Sequence, residues 1–217
     1  MNRQTSFASL LAALAIAVPA TAQEATNLPE GARQSVSVEL GLQSALVTRA
    51  SYSRHIGSGL VYGRFTLPSA SLDLRDFAFE AGGQITALES GSWKLQASFA
   101  PVVRLTDNDL FSATALGVRG ALMPGYQSDR WGLMLELGYE KMIATHLNHS
   151  ALYRNVGYSG AKDGWYSSTG GTLQAGLRGG YRLGRAELTL AAGVLTTERL
   201  NPVQPPFYGT LGSSYAF

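Results

Sequence analysis

The stretch FYGTLGSSYAF, from Phe207 to Phe217, ends the chain and decides its fold. Read with a period of two, Leu211 and Tyr215 share one face with both terminal phenylalanines. Small and polar residues such as Thr210 and Ser214 occupy most of the other face. Such alternation predicts a β-strand with one apolar side and one small, polar side.

A closing strand with aromatic residues at its last position and two positions earlier resembles the last strand of Gram-negative outer-membrane β-barrels. In that family the aromatic-x-Phe ending is the signal that the barrel-assembly machinery reads, which implies this role for Tyr215 and Phe217. The resemblance also implies an outer-membrane location, with outer-membrane lipid, lipopolysaccharide and the assembly machinery as partners. The alternative is an ordinary edge strand that ends in Phe.

The amino-terminal residues 1–22 have the three parts of a secretory signal peptide. Arg3 lies near the start, an apolar run covers residues 7–18, and an Ala-x-Ala exit ends at Ala22. We therefore expect cleavage after Ala22. A membrane anchor is the competing interpretation, but a spanning helix needs about 20 apolar residues, and this run is shorter.

The composition after the signal peptide favours membrane strands. Charged residues make up 15% of the chain, below the roughly 25% of soluble domains. Nevertheless, no later apolar run reaches the length of a membrane helix, so any spanning part must consist of strands. Residues 23–34 are polar and form a predicted periplasmic lead-in, and residues 35–217 form a predicted barrel. The net charge of +2 and the lack of a basic tract argue against nucleic-acid binding.

The number of strands is ambiguous from the pattern. An odd number of alternating segments can be counted, whereas a single-chain bacterial barrel has an even number. Either the segment near 36–47 is not a full crossing, or a crossing lies hidden near 48–59. We expect an all-β fold, a single antiparallel transmembrane barrel of about eight strands, with ten as the alternative.

Two stretches interrupt the alternation and are predicted loops. The longer covers residues 145–171, and the second, 196–206, contains three prolines, which do not favour a sheet ladder. With the end of the chain in the periplasm, these stretches and the breaks near 68–75 and 106–109 would all face outward. Short turns would then lie on the periplasmic side, as in outer-membrane barrels.

The polar faces of the predicted strands repeatedly present charge in mid-strand. A mid-plane Arg or Lys on the lipid-facing side would cost about 2–4 kcal/mol, so we expect these residues to point into the lumen. Their signs nearly balance, which favours pairing across a narrow interior, as in small OmpA-type barrels, over a selective pore. The predicted lumen network comprises Glu39, Arg64, Glu80, Lys94, Arg104, Arg119, Glu136, Glu140, Arg178, Arg182 and Glu187.

The longest predicted loop holds the candidate chemistry. His146 and His149, two of the three histidines, could share one face at helical spacing and bind a metal, which makes them the candidate metal ligands. His149 and Ser150 could act as base and nucleophile, with Asp163 as the acid, so these four residues are the candidate catalytic residues. The alternative is an ordered cap on the barrel mouth, in which Thr145 N-caps a short helix.

Two families of barrel enzymes allow a comparison. Lipid A deacylases carry His-x-Ser on a lipid-facing strand, whereas His149 and Ser150 are adjacent here and residue 151 is Ala. Omptin proteases use paired acidic residues with an Asp-His couple at the outer rim, and this chain offers only Asp163 with a histidine.

The sequence therefore favours a non-enzymatic barrel of the OmpA or OmpX size class. It would contribute to envelope integrity or surface interaction through its extracellular loops. A narrow small-solute channel is the first alternative, and a lipid-modifying or hydrolytic enzyme that uses residues 146–166 is the second. We expect no cofactor, no nucleic-acid partner and a monomeric state.

Overall fold

The computed structural model describes residues 32–43, 45–68 and 75–217, in which ten antiparallel strands close into one barrel. The predicted signal peptide and residues 23–31 of the lead-in lie outside the described residues. A short helix, α1 (Ala151–Val156), lies between the seventh and eighth strands. The strands are β1 (Gln34–Leu42), β2 (Leu46–Ile56), β3 (Gly59–Pro68), β4 (Asp76–Ser90), β5 (Trp93–Asp107), β6 (Phe111–Gln127), β7 (Trp131–His149), β8 (Gly164–Leu183), β9 (Ala186–Thr197) and β10 (Pro202–Ala216).

The barrel closes where the first and last strands meet. All other strands pair with their neighbours in chain order, and β1 pairs with β10, with Leu40 opposite Leu211. The carbonyl of Phe217 accepts the N–H groups of Arg33 and Gln34, both at 3.1 Å. This closure confirms the all-β barrel and removes the exposed edges that an open sheet would have.

The strand number is ten, the alternative that the sequence left open, because both amino-terminal segments are strands. The hidden crossing is β2. There Val47, Arg49 and Ser53 are buried on the inner face. The sequence pattern conceals this strand because its outer face includes Thr48 and Arg54 and so lacks a continuous apolar series.

Strands β7 and β8 extend into the predicted loop 145–171. Residues on the two strands continue to pair there, for example His146 opposite Trp165. The connection outside the strands therefore narrows to residues 150–163, which include α1. The prediction that this whole stretch is irregular is wrong, because cross-strand pairing continues beyond the register shift between Met142 and Ala144.

The proline-rich stretch 196–206 also contributes to the sheet. Pro202 begins β10 and lies opposite Thr196, and the register then shifts before Phe207 pairs with Val194. The expectation that this stretch stays out of the ladder is therefore wrong in part. The prolines occupy the first residues of a strand and an irregularity, positions where a missing N–H is tolerated.

The barrel is apolar outside and polar inside. Outward-facing Leu122 and Leu211 are 51% and 61% exposed, whereas inward-facing Arg49 and Glu136 are 2% and 0% exposed. A water-soluble domain shows the opposite distribution, so this polarity is typical of a barrel surrounded by hydrocarbon. Among the described residues, no helix is long and apolar enough to cross a membrane.

Aromatic rings cluster at one rim of the barrel. The Tyr126 ring lies between those of Trp93 and Trp131, with centroid separations of 5.9 and 4.9 Å. All three residues lie beside short connections, β4–β5 and β6–β7. We call this rim the turn end, and we call the opposite rim, where α1 lies, the loop end.

Candidate functional site

Arg119 on β6 is the centre of the lumen network. Its Nη1 donates to both carboxylate oxygens of Glu80, at 3.0 and 2.7 Å. Its Nε donates to Glu140 at 3.0 Å, and its Nη2 donates to the same carboxylate oxygen. Glu140 lies opposite Arg119 on the neighbouring strand β7, whereas Glu80 lies on β4, beyond β5. The guanidinium therefore joins strands that do not pair in the sheet.

Each carboxylate bound by Arg119 also has a second arginine. Arg64 Nη1 donates to Glu80 Oε1 at 2.7 Å. Arg104 Nη2 donates to Glu140 Oε1, also at 2.7 Å. Cations and carboxylates therefore alternate across the lumen from Arg64 on β3 to Glu140 on β7, and each carboxylate contacts two cations.

A second set of charges crosses the lumen near the closing strands. Arg49 Nη1 donates to one oxygen of Glu39 at 3.3 Å, and Arg178 Nη1 donates to the other at 3.2 Å. Arg178 Nε also lies 3.6 Å from Glu136, which accepts a hydrogen bond from Gln174 at 3.0 Å. Because β9 and β10 separate β8 from β1, the contact between Arg178 and Glu39 spans the interior.

These charged side chains are almost inaccessible to water. Arg64 is 1% exposed, Arg119 is 4% exposed and Glu136 is 0% exposed. Removing such charges from water costs several kcal/mol per ion unless close partners and hydrogen bonds compensate. The pairing is thus required by the burial. In the described part of the barrel, these paired charges form a layer across the lumen.

Most of the predicted lumen residues belong to these two sets. Lys94 instead pairs with Glu89 at the turn end, at 3.5 Å. Arg182 and Glu187 lie opposite one another on β8 and β9, also near the turn end. The predicted residues in the two sets are Glu39, Arg64, Glu80, Arg104, Arg119, Glu136, Glu140 and Arg178.

Arg49 is a lumen residue that the sequence analysis missed. The polar stretch after Ala50 predicts a break in the alternation, so the sequence does not assign Arg49 to the inner face of a strand. The usable signal was the alternation of Val47, Arg49, Ser51 and Ser53, which places all four residues on one side of a strand.

At the loop end, Asp163 fastens the connection between β7 and β8. Its Oδ1 accepts the backbone N–H of His149 at 2.8 Å and lies 3.0 Å from the Nδ1 of the same residue. Its Oδ2 accepts a hydrogen bond from Arg154 Nη2. The backbone hydrogen bond from His149, the side-chain hydrogen bonds from His149 and Arg154, and the nearby guanidinium charge lower the pKa of Asp163 to about 2. The carboxylate is therefore ionised at neutral pH.

Ser150, and not Thr145 as predicted, is the N-cap residue of helix α1. The Oγ of Ser150 accepts the N–H of Tyr153 at 3.1 Å, which is the usual N-cap hydrogen bond. Thr145 lies in β7, where its hydroxyl is hydrogen-bonded to Thr169 at 2.7 Å. The Tyr153 ring packs against His149, with centroids 4.8 Å apart.

The structure separates the two candidate metal ligands. His146 and His149 both lie in β7, where residues at positions i and i+3 point to opposite faces. His146 packs on Trp165, with ring centroids 5.1 Å apart, while His149 contacts Asp163. The metal hypothesis assumed that both histidines lie on one face of a helix, and that assumption is wrong. The described ranges contain no cluster of three acidic or histidine side chains suited to a metal ion.

Of the four candidate catalytic residues, the structure brings His149 and Asp163 into direct contact. Ser150 is adjacent in sequence, but its hydroxyl oxygen accepts the capping hydrogen bond of α1. His146 is part of a separate aromatic contact. The arrangement is thus a histidine–carboxylate pair shared with Arg154, without an assembled nucleophile among these candidates.

No protein-family model matches the chain, and no curated protein sequence does. Its structural neighbours are small outer-membrane β-barrels. KdgM porin is 9% identical, with a TM-score of 0.44 over 84% of this chain and 99% of the porin. The outer membrane protease OmpT from Escherichia coli is 9% identical, with a TM-score of 0.43 over 86% of this chain and 94% of OmpT. Ail, the attachment invasion locus protein of Yersinia pestis, is 13% identical, with a TM-score of 0.40 over 86% of this chain and 99% of Ail. At these identities the likeness concerns the fold alone.

Replacing Arg119 with Met should destabilise the barrel, because it removes the cation between two buried carboxylates. Breaking one side of a buried ion pair costs about 3–5 kcal/mol. Since Glu80 keeps Arg64 and Glu140 keeps Arg104, we expect the lower value, about 3 kcal/mol. The measurement is the free energy of unfolding, obtained by denaturant titration of the barrel in lipid vesicles.

The matched control is Lys94→Met, which removes a cation from a partly exposed pair at the turn end. An exposed pair contributes about 0–1 kcal/mol, so this variant should unfold close to the wild type. Equal losses in the two variants would contradict the importance of the buried network.

Replacing Asp163 with Asn should loosen the connection between β7 and β8. Because the folded-state pKa of Asp163 is depressed, its stabilising contribution is present above the ordinary value of 3.8 and is lost as the pH falls towards about 2. We expect the hydrogen-exchange protection factor of the His149 amide to drop over this range in the wild type. In Asp163→Asn it should be low already at pH 6.

Asp109→Asn serves as the control, because Asp109 is an exposed carboxylate in the β5–β6 connection at the same end of the barrel. This change should leave the protection of the His149 amide as in the wild type. If both variants keep full protection at pH 6, the carboxylate of Asp163 does not hold this connection.

Proposed function

We propose that this protein spans the outer membrane as a closed barrel and acts through its loop-end surface, in envelope integrity or surface interaction. The observation that supports this proposal most strongly is the buried network around Arg119, which places paired charges across the lumen. A barrel closed in this way offers lipid contacts on its wall and two exposed rims. Of these, the loop end carries the longest connection and α1.

Several features support the membrane location. The outer wall presents large apolar side chains, and the turn end carries a cluster of aromatic rings of the kind found at membrane interfaces. Tyr215 and Phe217, the expected assembly signal, are 51% and 46% exposed where the closing strand ends, at the turn end. The signal peptide predicted for residues 1–22 gives a route of export.

The orientation follows from the position of the last strand. Strand β10 ends at the turn end, beside the start of β1. If that end is periplasmic, as the family resemblance implies, the loop end faces the outside of the cell. The connection 150–163, fastened by Asp163, is then an ordered extracellular surface suited to contact with a partner.

A small-solute channel is less well supported. A selective pore presents charges of one sign to water along its path. Here the two interior sets mix five arginines with four glutamates, and the members contact one another. The residues in question are Arg49, Arg64, Arg104, Arg119, Arg178, Glu39, Glu80, Glu136 and Glu140.

A hydrolytic enzyme is the second candidate, and the contact between His149 and Asp163 favours it. A carboxylate on Nδ1 orients an imidazole so that its other nitrogen can act as a base. However, Arg154 shares the same carboxylate, and the hydroxyl of Ser150 caps α1. These contacts hold the connection 150–163 in place, so we favour surface interaction over hydrolysis.

Conductance across a planar bilayer tests the closed lumen. The purified wild-type barrel should show no long-lived conductance steps, because the paired charges leave no water path. Removing one pair with Arg119→Ala and Glu80→Ala should admit water and produce measurable openings. Removing the rim pair with Lys94→Ala and Glu89→Ala should give no more conductance than the wild-type barrel. Large, uniform and long-lived steps from the wild type would overturn the proposal.

A further inference from the structure

The outer wall of the barrel carries an apolar groove across β5 to β9, with a volume of about 610 Å³. The small residues Gly120 and Ala175 leave space between larger outward side chains, including Leu122, Leu137 and Val194. A side chain could enter this space, since a Cβ on Gly120 would come no closer than 3.7 Å to its nearest neighbour, the carbonyl of Ser98. The groove is therefore a recess in an outer wall that elsewhere presents large apolar side chains.

The groove crosses the wall obliquely: it lies nearer the turn end on β5, at Ala97, and nearer the loop end on β9, at Thr196. A tilted strand crosses the hydrocarbon layer in about 9–11 residues. With the ring of Trp131 at the turn-end interface, strand β7 reaches the other interface near Tyr139 and Lys141. Tyr139 lines the groove, so the groove opens at the level where lipid headgroups lie on the loop-end side.

A polar cluster stands at that opening. Glu198, in the β9–β10 connection, accepts hydrogen bonds from Lys141 Nζ and from the hydroxyl of Tyr139, the latter at 3.1 Å. The N–H of Glu198 donates to the carbonyl of Gly171 at 3.0 Å. A Cβ on Gly171 would come within 2.7 Å of the Glu198 carboxylate and 2.9 Å of the Tyr139 hydroxyl, so Gly171 lies directly against this cluster.

The cluster has an excess of positive charge. Glu198 is flanked by Lys141 and by Arg199, which is exposed in the same connection. An ammonium group has three donors, so Lys141 can bind Glu198 and an anion at the same time. Arg199 follows Glu198 in the chain, and a guanidinium matches the geometry of a phosphate. Apolar groove and cationic opening together match an amphiphile with an acyl chain and a phosphate.

We propose that the groove binds an acyl chain of a phosphorylated outer-leaflet glycolipid, lipopolysaccharide, whose phosphate contacts Lys141 and Arg199. This assignment rests on the proposed function, because it requires the loop end to face the outer leaflet. It specifies the site on the wall: the chain lies over Gly120 and Ala175, and the headgroup lies beside the β9–β10 connection.

Filling the groove tests the proposal. Gly120→Leu places a side chain in the recess. Gly179→Leu adds the same side chain to the outer wall of β8 nearer the turn end, where the nearest neighbour of a Cβ is 3.8 Å away. The double variant Lys141→Ala, Arg199→Ala removes the cations. Each barrel is purified in detergent and titrated with lipopolysaccharide, and bound glycolipid is counted by native mass spectrometry.

Wild type and Gly179→Leu should bind lipopolysaccharide equally, whereas Gly120→Leu and the double variant should bind about tenfold more weakly. A tenfold loss corresponds to about 1.4 kcal/mol of binding free energy, from the excluded acyl chain in Gly120→Leu and from the lost phosphate contacts in the double variant. Unchanged binding by Gly120→Leu would overturn the proposal, as would equal loss in both leucine variants. Inorganic phosphate at the same concentration should not displace the lipid, and displacement would show that no acyl chain is held.

The proposed function is checked separately in the same preparations. The heat-dependent shift in electrophoretic mobility reports a folded barrel, and fractionation of wild-type cells reports its membrane. A folded wild type in the outer-membrane fraction that binds lipopolysaccharide no better than Gly120→Leu would overturn the lipid site alone. A wild type absent from that fraction would overturn the proposed function itself.

Discussion

The rest of the structure depends on the pairing of buried charges across the lumen, with Arg119 between Glu80 and Glu140. A guanidinium at this depth is tolerable only when carboxylates surround it. The contact of Arg119 with Glu80 joins β6 to β4, which do not pair in the sheet, so it constrains the barrel across its interior as well as along its wall. Backbone hydrogen bonds close the cylinder, and these ion pairs fill it.

The same constraint determines what each face of the wall can do. Since side chains alternate along a strand, a register that turns Arg119 inward also turns Val118 and Gly120 outward. A slip of one residue would expose the charges to hydrocarbon. Under the proposed function, the interior charges stabilise the barrel, and partners contact its rims and its lipid-facing surface. The fastened connection at Asp163 and the groove over Gly120 lie in those two regions.

The sequence predicted the fold class because alternation and the aromatic ending are local signals. It also indicated that residues such as Arg119 and Glu140 turn inward, since a charge on the lipid-facing side has a large cost. It missed the crossing that holds Arg49, because a polar outer face removes the apolar half of the pattern. It could not show whether His149 meets Asp163, because that contact depends on how far β7 extends before the chain turns.

The most direct test of the closed lumen is the reactivity of a single cysteine, since the natural chain has none. Ala100 lies opposite Arg119 in the β5–β6 register and is 0% exposed. Asp129 is exposed in the β6–β7 turn. With a water-soluble, membrane-impermeant thiol reagent and folded barrels in vesicles with both faces accessible, Asp129→Cys should react fully and Ala100→Cys should stay unmodified. Comparable reaction rates at the two positions would contradict a lumen closed by paired charges.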